Sequence, residues 1–372
     1  MEQDVRFMAL ALELAQAARG QTSPNPLVGA VIVREGQVVG MGAHLKAGEP
    51  HAEVHALRMA GEKAKDATLY VTLEPCSHHG RTPPCAEAVV AAGISRAVVA
   101  VLDPNPLVAG RGIALMRSAG VDVTAGVCEQ EALRLNEVFF HYIQTKRPFV
   151  TVKTASTLDG KIATATGHSR WITGEAARGE VHELRRMNDA ILVGVGTVLA
   201  DNPELTARLH GEKYGRQPVR VVLDSALRTP LTARIVQDRS VPTWIFATEK
   251  SPVEKREALE AEGVTVITLD GPLLVDEVLQ RLGERGITSL LVEGGAEVNG
   301  SFLRARAIQK VVSYLSLKLV GGSQAPTPFG GTGFAAMGEA VSLTDIRIEQ
   351  VDGQDIRIVG YPKWTAAPLE KE

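Results

Sequence analysis

The period of the apolar positions changes several times along the chain, and each change marks an element. From residue 4 to 19 apolar residues recur at helical spacing, interrupted by Asp4, Arg6 and Glu13, which predicts an amphipathic helix. After the Ser23-Pro24-Asn25-Pro26 loop the chain is nearly continuously apolar over 28–33. It turns at Glu35-Gly36 and resumes over 37–42, a hairpin pattern. Next come a helix over 51–64, a strand at 68–72, a Cys- and Pro-rich loop and a helix over 85–92. A strand at 97–100, a helix at 110–118, a strand at 121–123 and a helical run over 130–142 complete this part. Strands alternating with helices predict a layered α/β domain.

Gln144-Thr145-Lys146-Arg147-Pro148 is the expected hinge, because Pro148 discourages the preceding helix from continuing. Beyond it the pattern predicts strands at 149–154, 189–194, 219–223, 243–247, 264–268, 289–292 and 311–319. Helices are predicted at 174–187, 251–262, 273–285 and 296–305. A final pair of strands, 345–351 and 355–360, flanks Asp352-Gly353, a hairpin turn signal. The expected domains are therefore residues 1–146 and 147–367, both α/β.

Composition supports the same boundary. All three cysteines and six of the nine histidines precede residue 147, whereas Trp171, Trp244 and Trp364 all follow it. The net charge is −3, and the first 146 residues hold 13 Lys and Arg against 15 Asp and Glu. A nucleic-acid binder draws its affinity from a basic excess, which this chain lacks. An odd, low cysteine count argues against a disulfide framework and for a reducing compartment, with cytoplasm as the default. The N-terminal segment is too charged for a signal peptide, and no uncharged apolar stretch reaches 18 residues.

The strongest chemical signal is His51-Ala52-Glu53 followed by Pro75-Cys76 and Cys85. A catalytic zinc takes three protein ligands and leaves one position for water; His51, Cys76 and Cys85 meet that count. His51 and Cys85 each open a predicted helix, whose positive end favours a thiolate. Glu53 is the expected proton carrier rather than a ligand, the arrangement of zinc deaminases. A closed structural zinc site, with His78 or His79 as the fourth ligand, is the alternative. Cys128 reads as a small buried hydrophobe.

Eight residues separate Cys76 from Cys85, where most zinc deaminases have two. The stretch Cys76-Ser77-His78-His79-Gly80-Arg81-Thr82-Pro83-Pro84-Cys85 resembles that of the riboflavin-biosynthesis deaminases, as do Ser23-Pro24-Asn25-Pro26-Leu27-Val28-Gly29-Ala30 and His44. The resemblance extends over nearly the whole chain, to the bifunctional pyrimidine deaminase/reductases of that pathway. It implies a three-layer cytidine-deaminase-like domain followed by a dihydrofolate-reductase-like domain. It further implies diaminohydroxyphosphoribosylaminopyrimidine as the first substrate, with Asn25, His44, His78 and Arg81 gripping ring or phosphate. Read without it, Asn25 shapes a turn and Arg81 is solvated.

In the second part no G-x-G-x-x-G follows a strand; Val193-Gly194-Val195-Gly196-Thr197 lacks the third glycine. Glu293-Gly294-Gly295 opens a predicted helix, either a phosphate site or a tight turn. The segments Val152–Ala163, Ser169–Thr173 and Gly194–Pro203 resemble the reductase domain of the same family. That resemblance implies NADPH against Ala155, Trp171, Thr197, Asp201, Gly295, Ala296, Glu297, Val298, Asn299, Gly300 and Ser301. The aminouracil phosphoribosyl substrate would then meet Lys153, Ser169, Arg185, Leu205, Arg208 and Glu293. Arg185 and Arg208 suit a phosphate because guanidinium pairs with it bidentately; the alternative is a solvated helix face, and helix 174–187 carries a charged stripe. Lys153 and Asp201 are both candidates for proton movement.

The expected cofactors are thus zinc and NADPH. The expected partners are small phosphorylated pyrimidines and further copies of the chain, with neither nucleic acid nor membrane. A nucleic-acid deaminase with a non-catalytic binding domain is the competing reading. A zinc-stabilised protein without activity would leave Glu53 unexplained.

Overall fold

The structure is a computed structural model and describes residues 2–77, 84–105 and 109–364. The chain forms two compact units, Met1–Lys146 and Arg147–Glu372.

In the first unit, strands β1 (Gly29–Arg34), β2 (Gln37–Ala43), β3 (Thr68–Leu73), β4 (Arg96–Val101) and β5 (Asp122–Ala125) form one sheet, ordered β2-β1-β3-β4-β5. β1 is antiparallel to both neighbours, and β3, β4 and β5 run parallel. The helices are α1 (Glu2–Gln16), α2 (Ala52–Ala60), α3 (Cys85–Ala91), α4 (Arg111–Ser118), α5 (Glu129–Leu135) and α6 (Glu137–Thr145). Glycines dictate how closely helices approach. A Cβ on Gly29 would lie 1.9 Å from the Ala11 carbonyl oxygen of α1. A Cβ on Gly40 or Gly42 would meet the carbonyl oxygens of Ala56 or Ala52, on α2, at 2.2 or 2.5 Å. Ala30 pairs with Gly42, and Gly29 with Ala43, so α1 and α2 cover opposite faces of the sheet. The small residues Ala52, Ala56 and Ala60 line the inner stripe of α2 and seat its N-terminus against β2.

The second unit holds β6 (Phe149–Thr157), α7 (Glu175–Met187), β7 (Ala190–Gly194), α8 (Val195–Asp201), β8 (Arg208–Leu209), β9 (Glu212–Lys213), β10 (Val219–Leu223) and α9 (Arg234–Gln237). It continues with β11 (Thr243–Thr248), α10 (Val253–Ala261), β12 (Thr265–Leu269), α11 (Val275–Glu284), β13 (Ser289–Val292) and α12 (Ala296–Arg304). β14 (Lys310–Ser316), β15 (Ser342–Val351) and β16 (Asp355–Lys363) complete it. Nine strands form a sheet ordered β12-β11-β10-β7-β13-β6-β14-β16-β15. The first seven are parallel, and the β15–β16 hairpin closes the edge in antiparallel fashion. Along β7, Ala190 and Leu192 enter one core while Ile191 and Val193 enter another. That two-sided burial explains the unbroken apolar run there.

Two local expectations change. The helical run over 130–142 breaks at Asn136, whose dihedrals are φ −109° and ψ 23°. The helix expected over 51–64 ends at Ala60 and tightens into a 3-10 turn, Gly61–Ala64. Gly194-Val195-Gly196-Thr197 is the start of a helix, α8, with Val195 and Val198 buried beneath it.

Candidate active sites

In the first unit, three elements converge on one point. His51 is the N-cap of α2, Cys85 is the first residue of α3, and Cys76 lies three residues past the end of β3. Their donor atoms all lie within 4.8 Å of one another. His51 Nδ1 is 3.2 Å from Cys85 Sγ and 3.7 Å from Cys76 Sγ, and the Cys85 backbone N–H donates to Cys76 Sγ at 3.3 Å. Tetrahedral zinc with ordinary Zn–N and Zn–S bonds spaces its donors by roughly 3.3–3.8 Å. The residues therefore fit zinc by donor type, number and spacing.

Hydrogen bonds from the Cys85 thiol and from His51 hold the Cys76 thiol well below its usual range, and the Cys85 thiol rises in turn. The site thus already favours one thiolate. Glu53, on the first turn of α2, is 3 % exposed, and its Oε2 has no hydrogen-bond partner. Burial raises its carboxyl to about 7.

The Pro75-Cys76 turn is held from behind by Glu74, which is buried. Its carboxylate accepts the backbone N–H groups of Asp103 (3.3 Å), Gly110 (2.9 Å), Gly112 (2.9 Å) and Ile113 (3.3 Å), the last two in α4. Acidic residues at Pro-Cys turns carry no spacing signal, so sequence reasoning missed it.

Asn25 and His44 meet: Asn25 Nδ2 lies 3.0 Å from His44 Nε2. His44 Nδ1 faces the Pro50 carbonyl at 3.3 Å, and its ring stacks edge-on against His51 at 5.3 Å between centroids. With Nδ1–H donating to Pro50, Nε2 is the acceptor for the Asn25 amide. His78 and Arg81 lie outside the described residues.

In the second unit, Glu293 follows the carboxyl end of β13 and Thr197 lies just past that of β7, the end of an open α/β sheet where ligands bind. β6 and β13 pair Val152 with Val292, so Lys153 and Glu293 are the next residues on adjacent strands. Glu293 accepts two hydrogen bonds from Arg185, at 2.8 and 2.9 Å, and both side chains are largely buried. Burial pushes the Glu293 carboxyl up, but the Arg185 charge and hydrogen bonds, joined by Lys153, hold it at about 2. Burial lowers Lys153. Arg185 also reaches the Thr206 carbonyl, which takes the ring nitrogen of His182 as well, so the residue after Leu205 is fixed from α7. His182 was missed in the sequence, where it reads as part of a charged helix stripe. Arg208 pairs with Glu204 at 2.7 Å and stays one-third exposed.

β7 and β13 are neighbours, so the helices that follow them, α8 and α12, start side by side. A Cβ on Gly295 would sit 3.5 Å from Thr197 Oγ1, and Val298 packs into the space left by Gly194 and Gly294. Within α12, Ala296 N-terminal backbone, Glu297 and Asn299 hold the 328–331 segment: Gly330 N–H donates to Ala296 O, Gly331 N–H to Glu297 Oε1, and Asn299 Nδ2 to Pro328 O. Gly300 lies directly under Gly330, and Ser301 Oγ donates back to Glu297 O. Ala155 is in β6. Trp171 is 64 % exposed, with Arg178 4.5 Å from its ring centre, and Lys318 donates to its carbonyl at 3.0 Å. Asp201 ends α8, and its carbonyl accepts from Arg170; Ser169 precedes that arginine in a half-buried loop position.

Comparison with known proteins matches both halves. The cytidine and deoxycytidylate deaminase zinc-binding region matches residues 1–101, and the RibD C-terminal domain matches residues 148–356. The riboflavin biosynthesis protein RibD of Bacillus amyloliquefaciens is 51% identical, over 96% of this chain and 96% of its own. That of Aquifex aeolicus is 47% identical, over 96% and 98%. Among solved structures, Acinetobacter baumannii RibD superposes with a TM-score of 0.88 at 42% identity, over 98% of this chain and 99% of its own. The Thermotoga maritima diaminohydroxyphosphoribosylaminopyrimidine deaminase/5-amino-6-(5-phosphoribosylamino)uracil reductase gives 0.84 at 37%, over 97% and 99%. The expected pair of α/β folds holds in both halves.

Proposed function

The chain belongs to the RibD family, and from that premise we propose that residues 1–146 carry the deamination and residues 147–367 the reduction. It is a bifunctional deaminase/reductase of riboflavin biosynthesis, with a zinc domain and an NADPH-dependent reductase domain, acting on small phosphorylated pyrimidines. The proposed substrates are those named for the Thermotoga relative: the diaminopyrimidine ribosyl phosphate, then its aminouracil product.

The observation that carries the deaminase assignment is the buried Glu53 carboxylate, its Oε2 without a hydrogen-bond partner, beside three convergent metal donors. His51 Nδ1, Cys76 Sγ and Cys85 Sγ would hold zinc, which when bound lowers the pKa of water toward neutrality. Glu53 takes a proton at Oε2 from water and returns it to the departing ammonia, the role that a buried carboxyl raised by desolvation suits. Asn25, held by His44, presents its remaining amide groups to the pyrimidine edge. His78 and Arg81 complete the grip on ring and phosphate.

In the reductase, bound NADPH would supply the hydride that the ribose anomeric carbon takes up as its bond to the ring oxygen breaks, and the chain must deliver a proton to that oxygen. Lys153, in the middle of β6 and level with Glu293 just past the end of β13, is the proposed donor of that proton. Glu293, oriented by Arg185, accepts the sugar hydroxyls, and Ser169, Leu205 and Arg208 surround the phosphoribosyl group. Ala155, Trp171, Thr197, Asp201 and residues 295–301 would hold NADPH, the backbone N–H groups that open α12 suiting an anionic group.

We place the enzyme in the cytoplasm, in keeping with three free cysteines. No helix among the described residues is long and apolar enough to cross a membrane. A homo-oligomer is supported by the ten-residue strand β15, which exposes Ile346 and Ile348 and is the edge strand of its sheet among the described residues.

The test follows ammonia release and NADPH oxidation together on the purified chain and on Glu53→Gln. The expected result is both activities in the wild type. The variant should lose ammonia release, retain zinc, and oxidise NADPH when given the aminouracil substrate. Ammonia release without NADPH oxidation in the wild type would sink the reductase half.

A further inference from the structure

The break between α5 and α6 has a use outside its own helices. Asn136 is 3 % exposed and makes no cap to either helix with its side chain. Its main chain still bridges the break, with Asn136 N–H donating to Ala132 O and Phe140 N–H to Asn136 O. The side chain instead reaches a segment 109 residues earlier. Leu27 N–H donates to Asn136 Oδ1 at 2.8 Å, and Asn136 Nδ2 donates to Leu27 O at 2.8 Å.

That doubled bond replaces a missing strand partner. Leu27 is buried, packed with Ala15, Ala18 and Leu135, yet it precedes β1 and pairs with no strand. A buried peptide group without partners is strongly disfavoured. Asn supplies one donor and one acceptor in the geometry of a peptide, so it pairs with Leu27 as a neighbouring strand would. Asp lacks the donor, and Ala lacks both.

The segment so clamped carries Asn25, two residues upstream. Pro26 lies between, which narrows the backbone freedom that separates them. On the other side, Val28 O accepts the His44 N–H at 2.9 Å. Leu27 therefore stands between Asn25 and the Val28 carbonyl that holds His44, and His44 abuts His51. We propose that Asn136 is a positioning residue for deamination: through the Leu27 main chain it sets the height of Asn25 and His44 against the pyrimidine. This rests on the reading that Asn25 and His44 contact that ring.

The experiment uses the full-length zinc-loaded chain as wild type, Asn136→Ala, Asn136→Asp and Asn25→Ala. KM and kcat for ammonia release are measured separately, together with zinc content and NADPH oxidation on the aminouracil substrate. Asn136→Ala is expected to raise the deamination KM about tenfold, which corresponds to about 1.4 kcal/mol. Its kcat should stay within about threefold, with zinc content and reductase rate unchanged. A role in folding alone would lower the active fraction, so kcat and zinc would fall while KM held; that result overturns the proposal. If Asn136→Ala does not fold, Asn136→Asp, equal in size and lacking the donor, answers the same question by the same KM criterion. Should Asn25→Ala raise KM while the Asn136 variants do not, the proposal fails and the contact reading stands. Should Asn25→Ala leave KM unchanged, the contact reading fails first and takes the proposal with it.

Discussion

Replacing Glu293 with Gln keeps the shape of the side chain but removes the one negative charge lying against both Arg185 and Lys153. The size of the effect can be worked in two ways. The carboxyl is held at about 2 rather than its ordinary 4.5, which corresponds to roughly 3 kcal/mol of stabilisation of the folded state. Removing one partner of a buried, hydrogen-bonded ion pair costs about 3–5 kcal/mol, and here the two side chains are only 14% and 10% exposed. The two routes agree at about 3 kcal/mol. For a domain of this size that lowers the unfolding midpoint by roughly 6–12 °C. The pH dependence has a definite sign. Because the folded value is depressed, the contribution is complete above about 4.5 and is lost as pH falls toward about 2. Calorimetry of the full chain and of Glu293→Gln, from pH 7 to pH 3, reads both quantities. A midpoint difference under about 2 °C at pH 7, or one that does not shrink between pH 5 and pH 3, would refute the assignment of that stability to the ion pair.

Two further outcomes follow from the geometry. Stripping zinc with a chelator should abolish ammonia release and lower the unfolding temperature of the first unit, while NADPH oxidation on the aminouracil substrate continues; rates and calorimetry on one preparation check this. Gly300→Ala would place a Cβ 2.2 Å from the Gly330 carbonyl oxygen, so the 328–331 segment must shift, destabilising the second unit by about 1–3 kcal/mol. The KM for NADPH should rise in titrations of the reductase rate, with deamination untouched.

Residue chemistry made part of this protein legible before its structure. Strands buried on both faces, such as β7, announce themselves as apolar runs, and His51, Glu53, Cys76 and Cys85 belong to few kinds of chemistry at once. β15 begins at Ser342, three residues before the expected strand, because its side chains are exposed on both faces and burial imposes no alternation. The break at Asn136 is invisible to periodicity because the apolar spacing continues through it; only the contact with Leu27 explains it. Arg185 and Glu293 are 108 residues apart in the chain, and no spacing rule joins them; β13 and α7 do. α8 spans only seven residues, Val195–Asp201, too short for a clear helical period, and Gly194 before it makes room for Val298.

The Glu74 carboxylate bears on how many ligands the zinc receives. It stands two residues from Cys76, and a free carboxylate there would be a ready fourth donor, converting an open site into a closed one. A carboxylate has about four lone-pair directions. Glu74 receives four backbone N–H groups, from Asp103, Gly110, Gly112 and Ile113, which accounts for all of them. Recruiting it to metal would strip the start of α4 of its acceptor. Glu74 is thereby committed to backbone, and among the described residues His51, Cys76 and Cys85 are the three that gather as metal donors, which leaves the fourth position of a bound zinc to water.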